Sequence, residues 1–364
     1  MNILVTGCCG VVSRAVARSI KLGKYYSNAR IIGTDVCDNW FGLHEALFDK
    51  IYKVANIDNA SEYSAQIRTI CSTEEIDLAI VTPEKEVLFW TQNGFEISVT
   101  LPPPGLANSA SDKRKLYDLL GPTGLVPGFA IHQRSDLLGH NAESIVGGEY
   151  PLWIRDFSVG SDSGKGALKV NGIDEVQAWV VLNRNIGEFM LSEFLPGRNY
   201  AYCMLFDDDR LLKSCGYERL EYFMGSVAPS GITGNISRGR LVNEKQVRIN
   251  AEMAVREIAR QTGEKITGLL TVDLREDENG IPLVTEINIR HTAATSAYAA
   301  GGCNMVEAQI HHGLRKLELI DNSPVLFPED NYILRDIDGL PVWVHGVNIP
   351  EPGNAFISED TLPC

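Results

Sequence analysis

Asp273, Glu286 and Asn288 are the residues whose types and spacing point most directly to chemistry. They stand in ITGLLTVDLREDENGIPLVTEINIR, where apolar and polar residues alternate on both sides of Asn279-Gly280, a favoured two-residue hairpin turn. With that turn Glu278 faces Ile281, and counting outward places Asp273 opposite Glu286, with Asn288 two residues on and on the same face. Leu270, Val272, Leu274, Ile287 and Ile289 form the other face, whose burial fixes the register. Carboxylates about 5 Å apart repel by roughly 3 kcal/mol at an effective dielectric of 20. A hard divalent cation offsets that repulsion, taking one or two carboxylates as ligands and completing its shell with water and phosphate oxygens. A solvated face whose charges diverge into water is the other reading, and a bulge in either strand would change the pairing.

The elements that must position this hairpin follow from periodicity. The chain opens NILVTGCCGVVSRAVARSIK, a strand, a glycine turn and a helix, and continues to a second strand RIIGTD ending in Asp35, a Rossmann-like βαβ start. Ser13 occupies the third glycine position of the dinucleotide fingerprint, so a nicotinamide site rests there on a weak signal. A helix near 62–72, the strand IDLAIVTP and a helix opened by Glu84 and Glu86 extend a parallel sheet. Prolines and small residues gather in LPPPGLANSASD, which makes 101–111 the expected domain boundary, with Ser111 capping the helix DKRKLYDLLG. A smaller unit follows: a strand around 126–131, a helix near 134–146, the hairpin YPLWIRDF…GALKVN and a helix over 174–185. A strand-rich unit carries the acidic hairpin, and a further strand is expected at 341–347. The predicted boundaries are 1–107, 108–190, 191–320 and 321–364.

Four further groups have residue types suited to an anionic ligand. SVGSDSGKG at 158–166 brings Ser158, Gly160, Ser163, Gly164 and Lys165 into one loop, a phosphate cradle or a plain hairpin loop. Arg155 alternates with Trp153 and Phe157, so a guanidinium shares a largely apolar face, held for an anion or for a structural ion pair. Lys113 is a second cation of this kind, or a solvated helix charge. Glu193, Phe194 and Leu195 precede a Pro-Gly turn at a junction between units, where an interdomain cleft would take a purine; a plain edge strand fits equally.

In their order along the chain these elements resemble the ATP-grasp superfamily, nearest to ligases related to carbamoyl-phosphate synthetase and to carboxylate–amine ligases. The resemblance spans roughly residues 1–320 and is most specific at TEINIR followed by HTAATSAYAAGG. It implies an α/β ATP-grasp fold behind a Rossmann-like N-terminal domain, with ATP and Mg2+, or Mn2+ in its place, as cofactors. Lys113 and Arg155 would then contact the phosphates, the 158–166 loop would close over them, and Glu193–Leu195 would hold adenine. Asp273, Glu286 and Asn288 would carry the metal, and Arg290 would stabilise the charge of the transferred phosphoryl group. Two departures stand out: many relatives have lysine at Arg155, and many have an acid at Asn199, which puts the ribose contact and a strict preference for ATP in question.

The resemblance implies a ligase that activates a carboxylate as an acyl phosphate for attack by an amine, with Arg219, Arg238, Arg240 and His291 as candidate substrate contacts. A small-molecule kinase, a carbamate-forming enzyme and a non-catalytic nucleotide sensor use the same site, and a nicotinamide oxidoreductase would use Asp35 instead. The net charge of −14, without a long basic run, argues against phosphate-backbone binding to nucleic acid. Small-molecule acids and amines are the expected partners, with homo-oligomerisation open. No apolar run approaches a membrane span and no signal peptide is evident, so the cytoplasm is the expected location. Eight cysteines, including Cys8-Cys9 but no CxxC pair, suggest free thiols.

Overall fold

The computed structural model describes residues 1–37, 41–147, 149–157, 166–335 and 355–357. Strand Asn2–Thr6 lies at the centre of the first sheet, between the parallel strands Arg30–Asp35 and Leu78–Ile80. Lys50–Lys53 and Ser98–Val99 extend the two sides in parallel, and Ala355–Ile357 adds one antiparallel edge. Central strands buried on both faces read as continuous apolar runs, as Ile3, Leu4 and Val5 do here. The order reverses beside Asn2–Thr6, which leaves a crevice at the carboxyl ends of the strands. Gly7 makes that turn possible: its φ is +63°, and a Cβ there would sit 2.5 Å from Pro83 Cγ.

Two antiparallel sheets follow. A four-stranded one orders Phe129–Gln133, Glu188–Glu193, Leu152–Asp156 and Leu168–Val170. A six-stranded one orders Pro282–Asn288, Gly268–Glu276, Asn199–Asp207, Arg210–Tyr222, Ile236–Val242 and Ile333–Leu334. Helix Lys245–Thr262 covers the larger sheet through Val247, Ala251, Ala254, Val255 and Ile258. A single apolar cluster joins Leu4 of the parallel sheet, Leu106 and Tyr117 of the connecting helices, and Tyr200 and Leu270 of the large sheet.

Local expectations are corrected in several places. Most of the proline-rich stretch is a helix, Pro104–Ser111, because prolines fit the first turn of a helix, where no amide partner is lost. It buries Leu106, Ala107 and Ala110, and the Gly105 and Leu106 amides donate to Glu264 at 3.0 and 2.6 Å. The cap of Lys113–Leu120 is Asp112, whose carboxylate accepts from the Arg114 and Lys115 amides, and Ser111 ends the preceding helix. The helix expected over 134–146 is two short ones, Arg134–Leu137 and Ala142–Val146, interrupted at Gly139. The first strand of this unit is Phe129–Gln133, and the other predicted helices run Ala60–Thr73 and Ile173–Leu182. The strand expected at 341–347 lies outside the described residues.

Candidate active site

The acidic hairpin reaches its predicted pairing by a different route. Its turn is a three-residue loop, Glu278–Gly280, closed by Asp277 and Ile281: the Asp277 amide donates to the Ile281 carbonyl at 2.9 Å, the Ile281 amide donates to the Asp277 carboxylate at 2.7 Å, and Gly280 has φ +76°. That loop pairs Glu276 with Pro282 and Leu274 with Val284, one residue out of step with a two-residue turn. A bulge at Thr285 restores the count, so Asp273 does face Glu286 and Val272 faces Ile287. The bulge also turns Val284, fully buried, toward the core while Thr285 and Glu286 both line a cleft on the other face. Leu270, Val272, Leu274, Ile287 and Ile289 are buried behind it.

A cleft of about 380 Å3 gathers most of the sequence-predicted residues. The large sheet contributes Asn199, Arg219, Asp273, Glu286, Asn288 and Arg290. The small sheet contributes Arg155, Trp153 and Glu193, which ends its second strand and leads into Phe194 and Leu195; helix Lys113–Leu120 adds Lys113 and Tyr117. Arg238, Arg240 and His291 are not brought there. Arg238 is exposed over the Tyr332 ring, Arg240 Nε donates to Glu218 at 2.7 Å, and His291 is buried against Gln309 at 2.7 Å. Burial holds the His291 imidazole neutral, lowered to about 4. Ser158, Gly160, Ser163, Gly164 and Lys165 lie outside the described residues.

Arg219, proposed from sequence only as a substrate contact, is the keystone of the acidic face. Its guanidinium donates to Asp273 at 2.7 Å, to Asn199 Oδ1 at 2.7 Å and to the Tyr200 carbonyl at 2.9 Å. Burial raises the Asp273 carboxyl, and the Arg219 charge pulls the other way. Asn199 completes the set by donating to the Tyr222 hydroxyl at 3.0 Å. Burial lowers the Lys113 ammonium while the Glu286 charge supports it, so the second carboxylate of the hairpin faces a cation as well. The Asp273, Glu286 and Asn288 side chains offer only oxygen and amide donors on one face, a donor set suited to Mg2+.

Arg155 is held differently. Its guanidinium lies over the Tyr117 ring at 5.0 Å, and its buried Nε has no hydrogen-bond partner among the described residues. An orphaned, desolvated donor of this kind fits a bound anion. Arg275, two residues past Asp273 on the same strand, also buries an unpartnered Nε beside Phe194. The alternation from Asp273 could have found it. Arg290 lines this cleft and a second cavity of about 910 Å3 toward the glycine turn, and contacts Glu84 at 3.5 Å.

No protein-family model and no curated protein sequence matches the chain. Solved structures do match it. An L-amino acid ligase from Bacillus licheniformis aligns with a TM-score of 0.61 and 15% identity, covering 86% of this chain and 74% of that one. Phosphoribosylamine–glycine ligase from Thermotoga maritima gives 0.61 and 14%, covering 91% and 78%. D-alanine–D-alanine ligase from Bacillus anthracis, complexed with ATP, gives 0.52 and 14%, covering 87% and 99%. These alignments run over 86–91% of the chain, and the chain therefore has the ATP-grasp fold behind a Rossmann-like N-terminal unit.

Proposed function

We propose that the chain is a Mg2+- and ATP-dependent ligase that joins a carboxylic acid to an amine. The observation that carries this is one cleft with an oxygen-donor trio, Asp273, Glu286 and Asn288, and with Arg155 holding an orphaned buried donor. Named ligases among the structural neighbours support the reaction class.

In the first step a carboxylate oxygen of the acid bonds to the terminal phosphorus of the nucleotide, the bond to the bridging oxygen breaks, and ADP leaves. In the second the amine bonds to the acyl carbon, the carbon–oxygen bond to phosphate breaks, and the amine gives up a proton. Mg2+ held by Asp273, Glu286 and Asn288 would supply neutralisation of the phosphate charge. Lys113 and Arg155 bind and orient the phosphates from the opposite wall, and Arg290 meets charge on the transferred group from between the two cavities. Glu193–Leu195 and Trp153 take the base. The larger cavity, bounded by the glycine turn and Glu84, meets the cleft at Val11, Val12 and Arg290 and admits the amine, while the acid lies on the cleft side of Arg290.

A hydroxylamine-trapping screen with ATP, Mg2+ and a range of acids tests this, because hydroxamate reports the activated acyl group and identifies the acid. The expected result is acid-dependent hydroxamate and ADP, both reduced about a thousandfold in Glu286→Gln with the fold retained. Full activity in that variant overturns the metal role.

A further inference from the structure

Arg335 reaches the cleft from beyond the predicted ATP-grasp span. Strand Ile333–Leu334 adds itself to the edge of the large sheet, pairing with Arg238 and Gly239, and the Arg335 amide donates to the Ser237 carbonyl at 2.9 Å. This anchor delivers the side chain into the cleft that also holds Arg219 and Arg290. Burial lowers the Arg335 guanidinium, with only the Tyr217 hydroxyl in support and the Arg14 and Arg18 charges against it. Its ring contact is Phe223, at 5.9 Å. Among the described residues no carboxylate pairs with it. Glu45 is engaged by both Arg14 and Arg18, at 3.0 and 2.6 Å.

Two independent features line the same cleft. Helix Val11–Lys21 presents Val11 and Val12 to the cleft, and it starts with no side-chain cap and no acidic residue in its first turn. Such an end carries free amides and a partial positive charge. Thr292, buried at 9% exposure and lining the cleft, has a hydroxyl with no partner among the described residues. A cation without a counter-ion among those residues, an open helix start and an unused hydroxyl all suit one anionic group.

We propose that Arg335, with Thr292 and the start of helix Val11–Lys21, binds a second anionic group of the acid substrate. This rests on the ligase reading and narrows it to an acid with two anionic groups, a dicarboxylic acid or a phosphorylated carboxylic acid, called dianionic below for those two groups. Arg290 faces the group that is activated, and Arg335 holds the one that is not.

The test compares glutarate and 3-phosphoglycerate with butyrate at fixed ionic strength, in the hydroxamate assay and by calorimetric binding to the full chain. The expected result is a preference for the dianionic acids of about tenfold or more in kcat/KM and in affinity. Arg335→Met should remove most of that ratio and Arg335→Lys restore much of it, and the better of the two dianions identifies the second group. Equal use of mono- and dianionic acids by the natural chain, or an unchanged ratio in Arg335→Met, overturns the assignment. An Arg335-dependent binding preference with no ADP formed from any acid sustains the anion site and overturns the ligase reading instead.

Discussion

Buried charge is handled in opposite ways at the ends of two inner strands of the large sheet and in its cleft. At the end of one, Glu276 accepts three bonds from the Arg198 side chain at 2.8–3.1 Å and one from Tyr200 at 3.2 Å. Asp207 likewise meets His312 and Arg315, both at 3.0 Å. In the cleft, among the described residues, Arg155 and Arg275 bury unpartnered Nε groups, and Arg335 has the Tyr217 hydroxyl in support and no carboxylate. Compensated charges line the same cleft, where Arg219 answers Asp273 and Arg290 meets Glu84. A fold that satisfies its buried ions elsewhere leaves cations open where an anion is to arrive, so unmatched burial, more than charge count, marks the site.

The largest test of that contrast is Arg219→Met. Removing the answered cation strands the Asp273 carboxylate, and chemical denaturation should show a loss of about 3–5 kcal/mol. Glu86 offers a second contrast, because its buried carboxyl is met by neutral hydroxyls, Tyr63 at 2.6 Å among them, and burial pushes it up to about 7 from an ordinary 4.5. The folded chain therefore holds more protons than the unfolded one between those values, and stability from this group falls as pH rises from about 4.5 to about 7. Glu86→Gln should flatten that slope, gaining on the order of 3 kcal/mol relative to the natural chain between pH 5 and pH 8 in urea titrations. Arg155→Met should change the nucleotide-free stability by no more than about 1 kcal/mol, since relief of burial offsets the lost ring contact. A loss comparable to that of Arg219→Met would break the comparison.

Much of the site was legible because alternation places Glu286 and Asn288 on one face of their strand, and the pairing of the two strands brings Asp273 to that face. The hairpin shows how far that goes: the two-residue turn was wrong, yet its error and the unforeseen bulge at Thr285 cancel. Arg219 was named, but its role was not, since its partners Asp273, Asn199 and Tyr200 come from three strands whose register sequence does not give. Arg238 and Arg240 share a strand and an attractive charge, and sheet geometry sends both away from the cleft. Arg335 carried no local signal at all: a two-residue edge strand is too short to show a period, and its meaning arises only from what it joins.

The offset between the loop at Glu278–Gly280 and the extra residue at Thr285 makes the hairpin a two-part latch. Shortening the tip by one residue while keeping Thr285 would throw every side chain from Pro282 to Asn288 out of phase, hiding Glu286 and baring Ile287. For a change of one residue, only a matched deletion at both places would leave the acidic face where it is, which ties the length of that tip to the strand behind it.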